Sequence, residues 1–307
     1  MEIILQILLL AVGFVMLVKG ADWFVDGASG IAAKMHIPQL VIGLTIVAMG
    51  TSAPEAAVSI SAALKGSADI TIGNIVGSNI LNILIILGLA SVIIPIAVAK
   101  STIKIDIPYM LGITAVLLLL GWDGTITLVD GLILLALFIA YLAYMLYMAK
   151  HGSDEGEQIK DLKLWQALLY TAIGLALIVL GANVAVDAAT ALARIFGLSE
   201  RFIGLTVVAL GTSLPELFTS VAAARKGNAD IAIGNIVGSN IFNILFIVGL
   251  SAMIVPVPFA ANFRIDTVVA FAAGIVLLLC SLQKKKLLRW HGVVMLLGYA
   301  AYFVYLL

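Results

Sequence analysis

Charge is scarce in this sequence. Only 11% of its 307 residues are Asp, Glu, Lys or Arg, the two signs balance at 17 each, and the formal net charge is zero. That balance excludes the basic footprint of a nucleic-acid-binding protein. Cysteine is nearly absent: Cys280 stands alone in an apolar run, so the chain forms no internal disulfide. The three histidines, His36, His151 and His291, are scattered over loops and helix ends, without the spacing of a metal site. The first residues carry Glu2 and no basic residue before Lys19, unlike the positive n-region of a cleaved signal peptide. Surface or packing roles account for all of these.

Apolar sequence fills the space. The composition is 63% hydrophobic and the mean hydropathy is +1.19, outside the range of soluble domains. Runs long enough to cross a hydrocarbon core of ~30 Å recur along the whole chain. We read about ten, at 3–19, 40–64, 70–95, 105–121, 127–149, 165–189, 202–224, 231–256, 266–282 and 288–306. A soluble core cannot absorb that many apolar helices at this length, so the expectation is an all-α polytopic protein of the lipid bilayer.

Basic residues set the orientation. With the N-terminus outside, the inner loops and flanks hold 13 of the 17 Lys and Arg residues, and only Lys65, Arg194, Arg201 and Arg264 fall outside. Both termini then face out, and the segment 150–164, whose 150–157 portion is the only sustained polar stretch, is a cytoplasmic connector. It is too short for a regulatory domain. It divides the chain into an N-terminal half, 1–149, and a C-terminal half, 165–307, of five spans each.

The halves repeat one another. Gly50-Thr51-Ser52-Ala53-Pro54-Glu55 returns as Gly211-Thr212-Ser213-Leu214-Pro215-Glu216, and Gly73 through Asn82 returns as Gly234 through Asn243, at a constant offset of 161 residues. From 38–95 against 199–256 about three positions in five are identical, and weaker similarity precedes that stretch, with Asp26 facing Asp187. An odd number of spans per half makes equivalent helices cross in opposite directions, which predicts two inverted-topology five-helix repeats. Packing alone would preserve small and apolar residues. It would not preserve Glu, Ser, Thr and Asn at membrane depth, where ionisable groups are costly and mark function.

The first motif predicts a broken helix. Pro54 has no N–H and its ring crowds the preceding turn, so free carbonyls are expected near Ala48, Gly50 and Thr51, where a polar cavity or a cation must satisfy them. Ser52 and Glu55 are three apart and are expected to project to one side. Ala209, Gly211, Thr212, Ser213, Pro215 and Glu216 repeat the arrangement from the other direction. In the second motif, Ser78 with Asn82 and Ser239 with Asn243 are spaced i, i+4 and share a helix face. Asn74, Asn79, Asn235 and Asn240 read more readily as interhelical hydrogen bonds than as ligands. The pooled set is carboxylates, hydroxyls, amide oxygens and carbonyls, without sulfur or imidazole. Such hard oxygen sets suit Ca²⁺ and Na⁺, and suit Zn²⁺ or Cu⁺ poorly.

These doubled motifs resemble the α-repeats of the Ca²⁺/cation antiporter superfamily, most closely its prokaryotic Na⁺/Ca²⁺ exchangers, over essentially the whole chain. The resemblance implies a plasma (inner) membrane transporter of a prokaryote rather than an enzyme, with transported Ca²⁺ and Na⁺, no cofactor and no obligatory protein partner. It implies that Glu55 and Glu216 clamp Ca²⁺ with the carbonyls of Thr51 and Thr212. Ser52, Ser78 and the Ala209 carbonyl would form an outer Na⁺ site, with Ser213, Ser239 and the Ala48 carbonyl as its inner counterpart. Asn82 and Asn243 would line the centre, while spans one and six slide across a rigid core. Asn rather than Asp at 243 implies no K⁺ cotransport. The exchange would be electrogenic, with Na⁺ inflow driving Ca²⁺ extrusion.

Three alternatives remain open at this level. A H⁺/Ca²⁺ antiporter could use the same carboxylates, although that branch typically carries Gly-Asn-x-x-Glu where this chain has Gly77-Ser78 after Gly73-Asn74. A cation channel could share the polar core. An intramembrane protease would need paired aspartates, Ser with Lys or His, or a zinc-binding helix, and none is visible.

Overall fold

The computed structural model describes residues 2–151, 162–197 and 209–306. Most of the expected connector and the first part of the expected span 202–224 lie outside the described residues. Helices dominate: α1 (Glu2–Met35), α2 (Gln39–Thr51), α3 (Ala53–Leu64), α4 (Ile70–Ile93), α5 (Thr102–Asp123), α6 (Leu128–His151), α7 (Leu164–Ile195), α8 (Ala209–Thr212), α9 (Leu214–Arg225), α10 (Ala229–Ile254), α11 (Ala261–Leu282) and α12 (Arg289–Leu306). Among the described residues, seven are long and apolar enough to cross a membrane, and the bent pair α2–α3 makes an eighth. The chain is a multi-pass membrane protein.

Two expected boundaries need correction. The run 3–19 is part of a much longer helix, α1 (Glu2–Met35), and the run 165–189 extends modestly to α7 (Leu164–Ile195). In α1 the helix continues because Leu17, Ala21, Phe24, Val25, Ala28, Ile31 and Ala32, all buried, keep an apolar stripe at helical spacing past the polar Lys19. The stripe holds the second half of α1 against protein rather than lipid.

α1 and α7 run antiparallel in close backbone contact. Gly20 meets Gly174 and Gly13 meets Gly181, and these two contacts exchange under the 161-residue offset. A Cβ on Gly20 would lie 2.9 Å from the Gly174 carbonyl oxygen, so only glycine permits this approach. The pair forms an outer layer: 17% and 28% of the most apolar windows of α1 and α7 are buried, against 78% for α4 and 94% for α10. α4 and α10 therefore form the inner core. Two short ribbons tie the halves together, β1 (Ile96–Ala97) with β4 (Lys286–Leu287) and β2 (Thr125–Ile126) with β3 (Val257–Pro258), both antiparallel. Each pairs a strand of one half with a strand of the other.

Candidate functional site

Both helix breaks fall on serine. α2 stops at Thr51 and α3 starts at Ala53, bent by 49°, with Ser52 at φ −80°, ψ 8°. Ser213 does the same between α8 and α9 at φ −91°, ψ 5°. Pro54 and Pro215 sit in the first turns of α3 and α9, where a missing N–H costs nothing. Glu55 and Glu216 occupy the same first turns, so the positive end of each helix dipole faces its carboxylate. Both glutamates are 1% exposed.

The serines do not serve the glutamates of their own motif. Ser52 Oγ donates to Glu216 Oε1 at 2.9 Å, and Ser213 Oγ donates to Glu55 Oε1 at 3.4 Å. The hydroxyls thus pair crosswise between the halves, a choice of partner that the local spacing of Ser52 and Glu55 does not specify. Ser78 Oγ adds a longer bond to Glu55 Oε1 at 3.5 Å. Each glutamate keeps its other oxygen, Oε2, buried without a hydrogen-bond partner.

The expectation of a free Ala48 carbonyl is also corrected. The break lies four residues beyond it, so the Ser52 amide still reaches it at 3.0 Å. Ser239 Oγ donates to the same oxygen at 3.3 Å, which places Ser239 against α2 from the other half. Thr51 is fully buried, and its hydroxyl donates to Asn235 Oδ1 at 2.9 Å. Thr212 Oγ1 is buried without a partner. Ala209 opens α8.

A network of asparagines crosses between α4 and α10. Asn82 Nδ2 donates to Asn240 Oδ1 at 2.9 Å, and Asn243 Nδ2 donates to Asn79 Oδ1 at 3.0 Å. Both amide nitrogens are thereby held, and the Oδ1 atoms of Asn82 and Asn243 remain buried with no partner. Each of these two residues opens a π-helical stretch, Asn82–Leu87 and Asn243–Val248. Such bulges appear frequently at functional sites. Asn74 and Asn235 take the structural role expected of them: their amides donate to Ser59 Oγ and Ser220 Oγ, each at 2.9 Å. Ser59 and Ser220 were not singled out as site residues, although they recur at the same offset and were legible on that ground.

Besides Thr212 Oγ1, the interior thus holds an orphaned carboxylate oxygen and an orphaned amide oxygen from each half. An isolated buried acceptor costs roughly 1–3 kcal/mol unless something satisfies it. Among the described residues no three His, Cys, Asp or Glu side chains cluster, so a bound cation would draw on hydroxyl, amide and carbonyl oxygens besides the two glutamates. This is the chemistry of a site for hard cations. A cavity of about 480 Å³, lined by Pro54, Val58, Asn183, Asp187, Gly211 and Thr212 among others, opens between α3 and α7 onto the breaks.

Comparison with known proteins places the arrangement. The sodium/calcium exchanger protein family profile matches residues 5–147 and 166–307. A putative antiporter, CaxA of Alkalimonas amylolytica, is 42% identical over 95% of this chain and 95% of its own. The inner membrane protein YrbG of Escherichia coli is 39% identical over 95% and 93%, and the sodium/calcium exchanger MaX1 of Methanosarcina acetivorans is 33% identical over 99% of each. Among solved structures, the sodium-calcium exchanger NCX_Mj, soaked with zero Na⁺ and Ca²⁺, superposes with a TM-score of 0.87 at 34% identity, covering 99% of this chain and 100% of that one.

Proposed function

This chain belongs to the sodium/calcium exchanger family, and we propose that it is a secondary active antiporter exchanging Na⁺ for Ca²⁺ by alternating access. The observation that carries the reading is the crossed pair Ser52–Glu216 and Ser213–Glu55, with one oxygen of each glutamate left unpartnered. Two inward carboxylates neutralise one Ca²⁺. Hydroxyls that donate to a carboxylate can rotate and offer lone pairs to Na⁺ instead, so the same serines serve either ion.

In this reading the chain forms about ten spans in two inverted repeats, 1–149 and 165–307, joined by the connector 150–164. Both termini face outward and the connector is cytoplasmic, in the inner membrane of a prokaryote. Glu55 and Glu216 clamp Ca²⁺ with the carbonyls of Thr51 and Thr212. Ser52, Ser78 and the Ala209 carbonyl hold one Na⁺, and Ser213, Ser239 and the Ala48 carbonyl hold its counterpart. The Ala48 oxygen takes part while keeping its helical amide, since a carbonyl carries two lone pairs. Asn82 and Asn243 present Oδ1 to the centre.

Three Na⁺ against one Ca²⁺ moves one net charge, worth about 2.3 kcal/mol per 100 mV. An inside-negative potential therefore favours Na⁺ inflow and Ca²⁺ extrusion. The test is counterflow in proteoliposomes, with Na⁺, Li⁺, K⁺ and H⁺ gradients each driving ⁴⁵Ca²⁺ uptake. The reading requires uptake on the Na⁺ gradient alone, with a membrane-potential dependence and no requirement for K⁺. Uptake driven by the pH gradient instead would assign the H⁺/Ca²⁺ alternative, and unitary conductance without coupling would assign a channel.

A further inference from the structure

Lys226, just beyond α9, reaches across to α1. Its ammonium donates to Asp26 Oδ1 and to the Asp22 carbonyl, both at 2.6 Å, with the Asp22 carboxylate at 3.6 Å. The side chains of Lys226 and Asp26 are 26% and 12% exposed, which makes this a sheltered pair rather than a freely solvated one. Two residues on, Asn228 Nδ2 donates to Ser29 Oγ at 2.6 Å. Together these bonds tie the outer layer to the core at one end of α1. The cavity between α1 and α9, about 340 Å³ and lined by Val18, Asp22, Phe218, Ala222 and Lys226, stops short of the helix break.

The repeat supplies the same residues at the opposite end of the molecule. An offset of 161 relates Lys226 to Lys65 and Asp187 to Asp26. There the pair is apart: Lys65 and Asp187 are both exposed and make no ion pair among the described residues. Asp187 lines the larger of the two cavities, which does reach Pro54, Gly211 and Thr212. One end is bolted and shallow, and the other is unbolted and deep.

We propose that Lys226–Asp26 and Lys65–Asp187 are alternating latches on the two access routes to Glu55 and Glu216, the second ion pair forming as the first releases. The glycine-mediated contact of α1 with α7 is close enough to couple them, and in this proposal the two helices shift as one body. A slide that brings Asp187 to Lys65 carries Asp26 away from Lys226. The inference rests on the antiport reading, since a protein without two access states needs no latch.

The test uses full-length protein in liposomes with Cys280→Ser, which removes the one cysteine. Ala222→Cys reports the cavity between α1 and α9 through its rate of reaction with an impermeant thiol reagent. Lys226→Gln is expected to raise that rate several-fold, and the exchanged pair Lys226→Asp with Asp26→Lys to return it to the parental value. An unchanged rate in Lys226→Gln, or no return in the exchanged pair, overturns the proposal. A second arm does not depend on those variants folding. Lys65→Cys with Asp187→Cys, bridged by a short bis-methanethiosulfonate, is expected to stop ⁴⁵Ca²⁺ exchange until reductant is added, and undiminished exchange in the bridged protein overturns the latch. Thiol reactivity does not depend on which ions are exchanged, and the unbridged protein reports exchange by itself, so a failure of the antiport reading is distinguished from a failure of the latch.

Discussion

Asn79 donates from its side-chain amide to the backbone carbonyl of Asn240, and Asn240 returns the bond to the carbonyl of Asn79, both at 3.2 Å. The two residues are 161 apart, the repeat offset itself. Each is therefore its own counterpart's partner, and the pair lies where the two halves meet in the core. Around it, Asn82 and Asn243 are oriented by the second polar atom of the same two side chains.

Asn79→Ala should destabilise the protein without touching a carboxylate. It deletes the bond to the Asn240 carbonyl and leaves Asn243 Nδ2 without its acceptor. Buried groups left unpaired cost roughly 1–3 kcal/mol each. Thermal unfolding in detergent should show a clearly lowered Tm, and an unchanged Tm would contradict the network.

Glu55→Gln and Glu216→Gln should each abolish Na⁺-dependent ⁴⁵Ca²⁺ flux in proteoliposomes. Either substitution halves the charge available to a divalent ion and presents an N–H₂ where an acceptor is needed. Full exchange by either variant would remove the basis of the functional reading.

Ser52→Ala and Ser213→Ala should each weaken activation by Na⁺. Each removes a hydroxyl that donates to the glutamate of the other half and that turns a lone pair to Na⁺ in the proposed exchange. An apparent Na⁺ affinity lower by roughly tenfold, about 1.4 kcal/mol, is expected for each in Na⁺ titrations of ⁴⁵Ca²⁺ exchange. A parental affinity in either variant would remove that serine from the site.

Gly238→Ala should separate α2 from α10. A Cβ there would stand 2.5 Å from the Leu44 carbonyl oxygen and 2.8 Å from the Ala48 Cβ, both on the segment that carries Ala48, Thr51 and Ser52. Overpacking of this kind costs roughly 1–3 kcal/mol. A lower Tm together with impaired exchange is expected, whereas a Tm at or above the parental value would show that α2 yields easily.

Ligand-linked stability gives an independent check. A cation that binds the folded state at a hundred times its Kd stabilises it by about 2.7 kcal/mol. Ca²⁺ should raise the Tm of the parent protein and leave that of the double variant Glu55→Gln, Glu216→Gln in place. An equal rise in both would locate the ion elsewhere.

Much of this molecule was written along the chain. Hydropathy determined the medium, and the doubled motifs determined which residues lie inside it, because a polar group at membrane depth survives only where something satisfies it. Proline at 54 and 215 determined that two helices break. What the chain could not convey was which partner each polar atom takes. Local spacing set Ser52 and Glu55 toward one side, but it did not specify that the Ser52 hydroxyl donates to Glu216, contributed by the other half. Periodicity likewise ended α1 at a charged residue, Lys19, because a one-dimensional pattern cannot tell a helix that leaves lipid from one that turns to protein for cover. Those decisions belong to the tertiary structure for one physical reason: the antiparallel meeting of the halves brings residues 158 to 164 positions apart within hydrogen-bond distance, and no local preference encodes a bond across that separation.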